Sequence, residues 1–295
     1  MGRPNRFKTM ETLKSRIGRL FKEQRQNVFS KVELKQLLTN CVYKIGLPGK
    51  VTLPEFTSFL TAQKIIREVT IKMPIGKKVI RYETDSATAI ETAQSLKSNS
   101  YLSHYTALFL HGLTDNLPKV IYTNTELKKA INRNSEKLLQ ANIDRAFAFS
   151  MRQSNQIARY GDIEIYLLNS KNVDQVGVKD FAFNNTTLRV TDIERTLIDI
   201  TVRPSYAGGI DEVLNAYKAA KGQISVNRML SILTKLDYTY PYHQAIGFYL
   251  EKAGYEKDVL SLVEITPIEY DFYLTYNMKN KGYSGRWRLF YPSGM

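Results

Sequence analysis

The chain is short of cysteine, of histidine and of long apolar runs, and each shortage excludes something. With Cys41 alone among 295 residues, neither an internal disulfide framework nor a cysteine-rich zinc site can be built. Of three histidines, His104 and His111 stand seven apart, too far for the i, i+4 pair that grips a metal on one helix, and read as polar members of a packed interface. His243 falls at a helix start and reads as a capping or packing residue. No apolar run approaches the roughly 18 residues that cross a bilayer. The basic start, Met1 to Lys14, lacks the apolar core and small-residue cleavage site of a signal peptide. A phosphate-binding glycine loop and a nucleophile elbow are missing too. These absences point to a soluble, cytoplasmic, non-enzymatic protein with no catalytic residues, no cofactor and no metal.

What is present is positive charge, concentrated in one region. Residues 1–90 hold 18 Lys plus Arg against 7 Asp plus Glu, a net +11. Residues 91–295 hold 24 against 21, a net +3. A field focused in this way favours a polyanion: nucleic acid or an anionic membrane surface.

Element signals narrow that choice. Phe7, Met10, Leu13, Ile17, Leu20 and Phe21 recur at helical spacing, predicting an amphipathic helix from Phe7 to Gln24. Taken alone, that helix could lie on a membrane. Ser30 to Glu33 is a capping box opening a second helix, with Leu34, Leu37, Leu38, Cys41, Val42 and Ile45 as its stripe and Gly46 as its stop. Cys41 on that stripe reads as a small buried hydrophobe. After a short connection, Leu47 to Val51, the run Thr52 to Glu55 is a second capping box with proline in the first turn. The third helix is predicted to reach about Lys64. It turns Phe56, Phe59 and Leu60 inward and presents a small polar outer face. The period then shifts to two, predicting a hairpin from Ile65 to Glu83 with a lysine-rich tip.

Helix, helix, helix, hairpin is the order of a winged helix-turn-helix. Its expected DNA contacts are Lys50 in the connection, with Thr57, Ser58, Thr61 and Lys64 toward the major groove. Lys72, Lys77 and Lys78 on the wing would hold phosphates. The same unit could instead be a protein–protein or membrane adaptor. The expected fold class is α+β: a winged helix-turn-helix at 1–90, then a larger mixed α+β domain at 91–295.

In that second region a helix is expected from an Asp85-Ser86 cap to about Lys97, and another from Ser100 to Gly112. Strands are expected at Lys119–Asn124, Ile163–Leu168 and Thr187–Val190. Helices are expected after Thr191-Asp192 and over Asp211–Lys221, Asn227–Leu236 and Tyr242–Ala253. Strands are expected from Leu260 to Tyr291. Arg195 and Asp199 at i, i+4 can form an ion pair. The acids Asp192, Glu194 and Asp199 also admit a competing reading, a magnesium-dependent nuclease or nucleotidyltransferase.

Three stretches carry a family resemblance. They are Tyr101-Leu102-Ser103-His104-Tyr105-Thr106-Ala107-Leu108 running on to Pro118; Val190 through Asp199 with Arg203-Pro204 and Gly208-Gly209; and Tyr242 through Leu250. In order and spacing they resemble the AbiEi-type abortive-infection antitoxins of type IV toxin–antitoxin systems. The resemblance implies a repressor that binds inverted repeats in its own promoter. It also implies an antitoxin domain that counters a neighbouring nucleotidyltransferase-like toxin without a stable complex. Ser103, His104, Glu194, Arg195, Asp199 and Arg203 are the motif residues it assigns to that domain.

Overall fold

The computed structural model describes residues 6–127 and 137–295; residues 1–5, the start of the basic N-terminal run, lie outside it. The chain is a mixed α+β protein. It divides into two compact units. The first holds the residues up to Ser100 together with Ile157–Ile165 and Asp180–Leu188. The second holds Tyr101–Gln156, Tyr166–Lys179 and Arg189–Met295.

The first unit opens with α1 (Arg6–Thr12) and α2 (Lys14–Glu23) where one helix was expected. The backbone bends at Leu13 (φ −92°, ψ 2°), although hydrogen bonds from Leu13 to Thr9 and from Ile17 to Leu13 run through the bend. Met10, Ile17, Leu20 and Phe21 are buried as expected, while Phe7 stays 47% exposed. Strand β1 (Val28–Phe29) leads into α3 (Lys31–Ile45). The Ser30 hydroxyl accepts from Glu33 N–H and the Glu33 carboxylate accepts from Ser30 N–H, so both halves of the capping box are made. Gly46, at φ 75°, ends α3 in a left-handed turn that a Cβ would strain. Helix α4 (Leu53–Ala62) has its own box, Thr52 with Glu55. Each cap stabilises its helix by about 1 kcal/mol.

Hairpin strands β2 (Arg67–Lys72) and β3 (Lys78–Glu83) follow, in register from Arg67 opposite Glu83 to Lys72 opposite Lys78. Strand β1 adds antiparallel to β3. Phe29, Leu34, Leu37, Phe56, Phe59, Leu60, Ile66 and Tyr82 close one core with α1 and α2. Cys41 is part of it, fully buried, and burial pushes its thiol up to about 12. It is therefore a packing residue and a poor nucleophile.

The first unit's leading segment runs on to Ser100, and polar bonds tie its last helix to the hairpin. Helix α5 (Ala89–Gln94) is capped by Thr88 with Glu91, not by Asp85-Ser86. Glu91 accepts from the Asn27 amide, and Arg81 donates to the Ser95 carbonyl. The buried Glu83 carboxylate takes the Thr92 hydroxyl at 2.6 Å, Arg67 at 2.8 Å and the Tyr160 hydroxyl at 2.8 Å. A buried carboxylate needs that many donors, and Tyr160 brings its own strand along.

The second unit begins with β4 (Tyr101–Leu102) and α6 (His104–Leu110). The helix expected from Ser100 is thus a two-residue strand first, with Ser103 as N-cap. Strand β5 (Val120–Glu126) and helix α7 (Gln140–Phe147) belong to the second unit, β6 (Ile157–Tyr160) belongs to the first, and β7 (Ile163–Ser170), β8 (Val178–Phe183) and β9 (Thr186–Thr191) each have residues in both. Strand β4 lies between β5, antiparallel, and β9, parallel. Helices α8 (Ile193–Val202), α9 (Ile210–Ala219), α10 (Val226–Leu236), α11 (Tyr242–Lys252) and α12 (Lys257–Glu264) form the helical layer. Strands β10 (Phe272–Tyr273), β11 (Lys281–Ser284) and β12 (Leu289–Pro292) make a small second sheet.

Leu260 and Val263, three apart, are a helix face, so the strands expected from Leu260 begin only at Phe272. In α11 every residue from Tyr242 to Leu250 is buried. Gly247 within it lets Trp287 lie against the helix backbone, since a Cβ there would fall 2.3 Å from the indole.

Candidate nucleic-acid interface

The expected DNA-contact residues sit on three neighbouring pieces of the first unit. Lys50 is exposed in the connection between α3 and α4. Ser58 and Thr61 are exposed on the outer face of α4, opposite Phe56, Phe59 and Leu60 in the core. Thr57 is half-buried, and its hydroxyl turns back to the Leu53 carbonyl at 3.0 Å and the Pro54 carbonyl at 3.1 Å. Its proton is therefore committed to the helix, leaving lone pairs and a methyl for a partner. Lys64 lies beyond the helix, which ends at Ala62. At φ 55°, Lys64 starts the turn into β2 and is exposed.

The hairpin gathers more charge than its own sequence contains. Lys72 is the cross-strand partner of Lys78 on one side and of Arg159 in β6 on the other. Side chains directly opposite in antiparallel strands share a face, so Lys78, Lys72 and Arg159 stand in a row. Counting in twos along β3, that face also carries Ile80 and Tyr82, which pack on the helical core. The row therefore stands on the side of the sheet that faces the helices. Lys77 is exposed at the tip, which is closed by a hydrogen bond from Met73 N–H to the Lys77 carbonyl at 2.7 Å. Lys50, Lys64, Lys72, Lys77 and Lys78 have no ion-pair partner among the described residues. Arg159 is 66% exposed and paired with Glu164 at 2.9 Å.

Arg159 escaped the sequence reading because β6 is four residues long and nothing local ties it to a hairpin 87 positions earlier. The tip holds one more unexpected residue. Ile75 has φ 60° and is 90% exposed, a left-handed conformation that a β-branched side chain resists.

The second unit's motif residues form a separate buried network. Arg195 is 1% exposed; its Nε donates to Asp199 at 2.8 Å and its Nη1 to the Val176 carbonyl at 2.8 Å. Gly177 passes so close that a Cβ would meet Arg195 at 2.6 Å. Asp192 and Glu194 both face Arg228, Glu194 at 2.8 Å, and Asp192 also caps α8 by accepting from Arg195 N–H. Each of the three carboxylates that could have held magnesium thus faces a guanidinium. No group of His, Cys, Asp or Glu able to hold a metal occurs among the described residues.

The Ser103 hydroxyl lies 2.9 Å from His104 Nδ1, and the His104 ring packs against Tyr122 and Tyr206. Burial pushes His104 down to about 4, so the ring is neutral at physiological pH. His111 does not join it; its Nε2 meets the Thr191 carbonyl at 2.6 Å. His243 is buried on α11, where burial lowers its pKa. Arg203, exposed just after α8, donates to the Arg152 carbonyl at 3.0 Å. No helix among the described residues is long and apolar enough to cross a membrane.

No protein-family model and no curated protein matches the chain. Among solved structures, its fold is similar to the crystal structure of the RV2827C protein from Mycobacterium tuberculosis. The TM-score is 0.54 at 14% identity, over 95% of this chain and 91% of that one. At this identity the likeness is one of fold.

Proposed function

We propose that the first unit is a winged helix-turn-helix that docks on duplex DNA, with α4 in the major groove and the β2–β3 hairpin as the wing. The observation that carries this reading is the row of Lys78, Lys72 and Arg159 beside Lys77. Like charges placed side by side repel, and a phosphate backbone is the partner that turns that repulsion into binding. The outer face of α4 supports it: Ser58 and Thr61 are small, exposed and free of acid, so the helix can approach base edges closely. The test is binding of a fluorescent fragment of the gene's own promoter, followed by selection from a random DNA pool. Wild type should bind tightly at low salt and select an inverted repeat, and Thr61→Ala should alter the selected sequence. Failure to bind the promoter at low salt would favour an adaptor role instead.

For the whole chain we propose a cytoplasmic repressor and antitoxin of the AbiEi type, opposing a nucleotidyltransferase-like toxin encoded beside it. The support is the resemblance of the Ser103-His104, Asp192 to Asp199 and Tyr242 to Leu250 stretches. The engagement of Asp192, Glu194 and Asp199 by Arg228 and Arg195 weighs against the metal-dependent alternative. Co-expression of the neighbouring toxin should halt growth, and this chain should restore it, with no complex on size exclusion. A toxin that stays lethal in its presence would end the antitoxin reading and leave the DNA-binding one standing.

A further inference from the structure

Basic and acidic side chains nearly balance over residues 91–295, at 24 against 21. The guanidiniums of the second unit mostly follow that balance. Arg195 faces Asp199, Arg228 faces Asp192 and Glu194, Arg286 faces Glu251 and Glu264, and Arg288 faces Asp271. One cleft departs from it. Arg145, Arg152 and Arg203 line a cleft of about 730 Å³ with Phe149, Tyr240 and Tyr276, and among the described residues no acidic one lines it. The side chains of Arg145 and Arg152 have no hydrogen-bond or ion-pair partner among the described residues.

The walls are built unevenly, and the unevenness is informative. Arg203 is held in place by its bond to the Arg152 carbonyl and by the Tyr206 ring, 5.7 Å beneath its guanidinium. Tyr276 is stacked on Phe147 at 4.3 Å, and Tyr240 meets the same ring edge-on at 5.4 Å. The two tyrosines and Arg203 are thus preset. Phe149 is 70% exposed, a large apolar ring left in water beside two arginines. Three guanidiniums in one cleft repel one another unless an anion joins them. Their planar forks match phosphate oxygens, and aromatic faces take a base of any kind.

We propose that this cleft binds a nucleoside phosphate, its phosphates on Arg145, Arg152 and Arg203 and its base against the Phe149 and tyrosine rings. The volume lies within the range of small-ligand sites. A free nucleotide and the unpaired end of a single-stranded RNA present the same chemistry. The inference does not depend on DNA binding by the first unit.

The test is equilibrium titration of the full chain with ATP, with inorganic triphosphate and with a labelled ten-nucleotide single-stranded RNA. ATP should bind saturably and more tightly than inorganic triphosphate. R145Q/R152Q should weaken binding by at least about tenfold while the circular dichroism and Tm stay at wild-type values. Phe149→Ala should erase the preference for ATP over inorganic triphosphate, and K72Q/K78Q should leave nucleotide binding unchanged. Saturable ATP binding identifies a free nucleotide as sufficient. RNA binding that ATP cannot match, but that R145Q/R152Q weakens, identifies the strand end. The proposal is overturned if neither probe binds, if inorganic triphosphate binds as well as ATP, or if R145Q/R152Q binds like wild type.

Discussion

Replacing Lys72 and Lys78 with glutamine should make the protein more stable and weaken the DNA binding proposed for its first unit, two changes in opposite directions from one row of charges. Lys72 stands between Lys78 and Arg159, so it takes part in both like-charge contacts. Like charges directly opposite across antiparallel strands destabilise by roughly 0.2–1 kcal/mol. Lys72→Gln removes both contacts at once, and Lys78→Gln added to it should gain almost nothing further. Arg159 is already paired with Glu164, which places its contribution at the low end. On DNA the signs reverse. Each lysine that neutralises a phosphate steepens the slope of log K against log salt by about 0.9, so the double variant should lose about 1.8. Between 50 and 200 mM salt, that is about a twelvefold smaller fall in affinity than wild type shows. Urea denaturation reads the first effect and fluorescence anisotropy across a salt series reads the second. An unchanged slope would remove the wing from the phosphate backbone. A less stable double variant would show that the three side chains do not share a face.

Three other outcomes are expected. His104, held near 4 by burial, binds its proton more weakly folded than unfolded, so its contribution is complete above about pH 6.5 and lost as pH falls toward 4. Over that window it amounts to about 3 kcal/mol, and His104→Asn should flatten urea stability between pH 7 and 5. Gly247→Ala should destabilise by about 1–3 kcal/mol through overpacking against Trp287, and the change should be visible as altered tryptophan fluorescence. Ile75→Asn should leave stability unchanged or raise it by up to about 1 kcal/mol, because asparagine accepts the left-handed backbone and the isoleucine buries almost nothing. A clear loss of Tm in Ile75→Asn would mean that the tip is not left-handed in solution.

Much of the first unit was legible without coordinates, and for a specific reason. Capping boxes join residues three apart, the left-handed stop at Gly46 needs only its own backbone, and a hairpin pairs residues a few positions from its turn. Such interactions are written in local order, so Ser30 with Glu33, Thr52 with Glu55, and a hairpin with a lysine-rich tip follow from the sequence by itself, while the register that sets Lys72 opposite Lys78 does not. The same holds for α8 and for the i, i+4 pair of Arg195 with Asp199. Local order misled at one helix start. The cap expected at Asp85-Ser86 is instead made by Thr88, whose box with Glu91 starts the helix three residues later.

Tertiary structure decided whatever depends on residues distant in the chain. Arg159 completes the cationic row from 87 positions away, and Tyr160 reaches Glu83 from 77. Those contacts, with α5 bonded to the hairpin, place the end of the first unit's leading segment at Ser100. Asp192 and Glu194 read as possible metal ligands until Arg228 arrives from another helix to neutralise both. The arginine cleft is the extreme case: Arg145 and Arg203 are 58 residues apart and each is unremarkable on its own helix or turn. Charge bookkeeping along the chain averages such clusters away, because an unpaired cation is defined by the absence of a carboxylate in space, and only the folded chain determines which carboxylates are near.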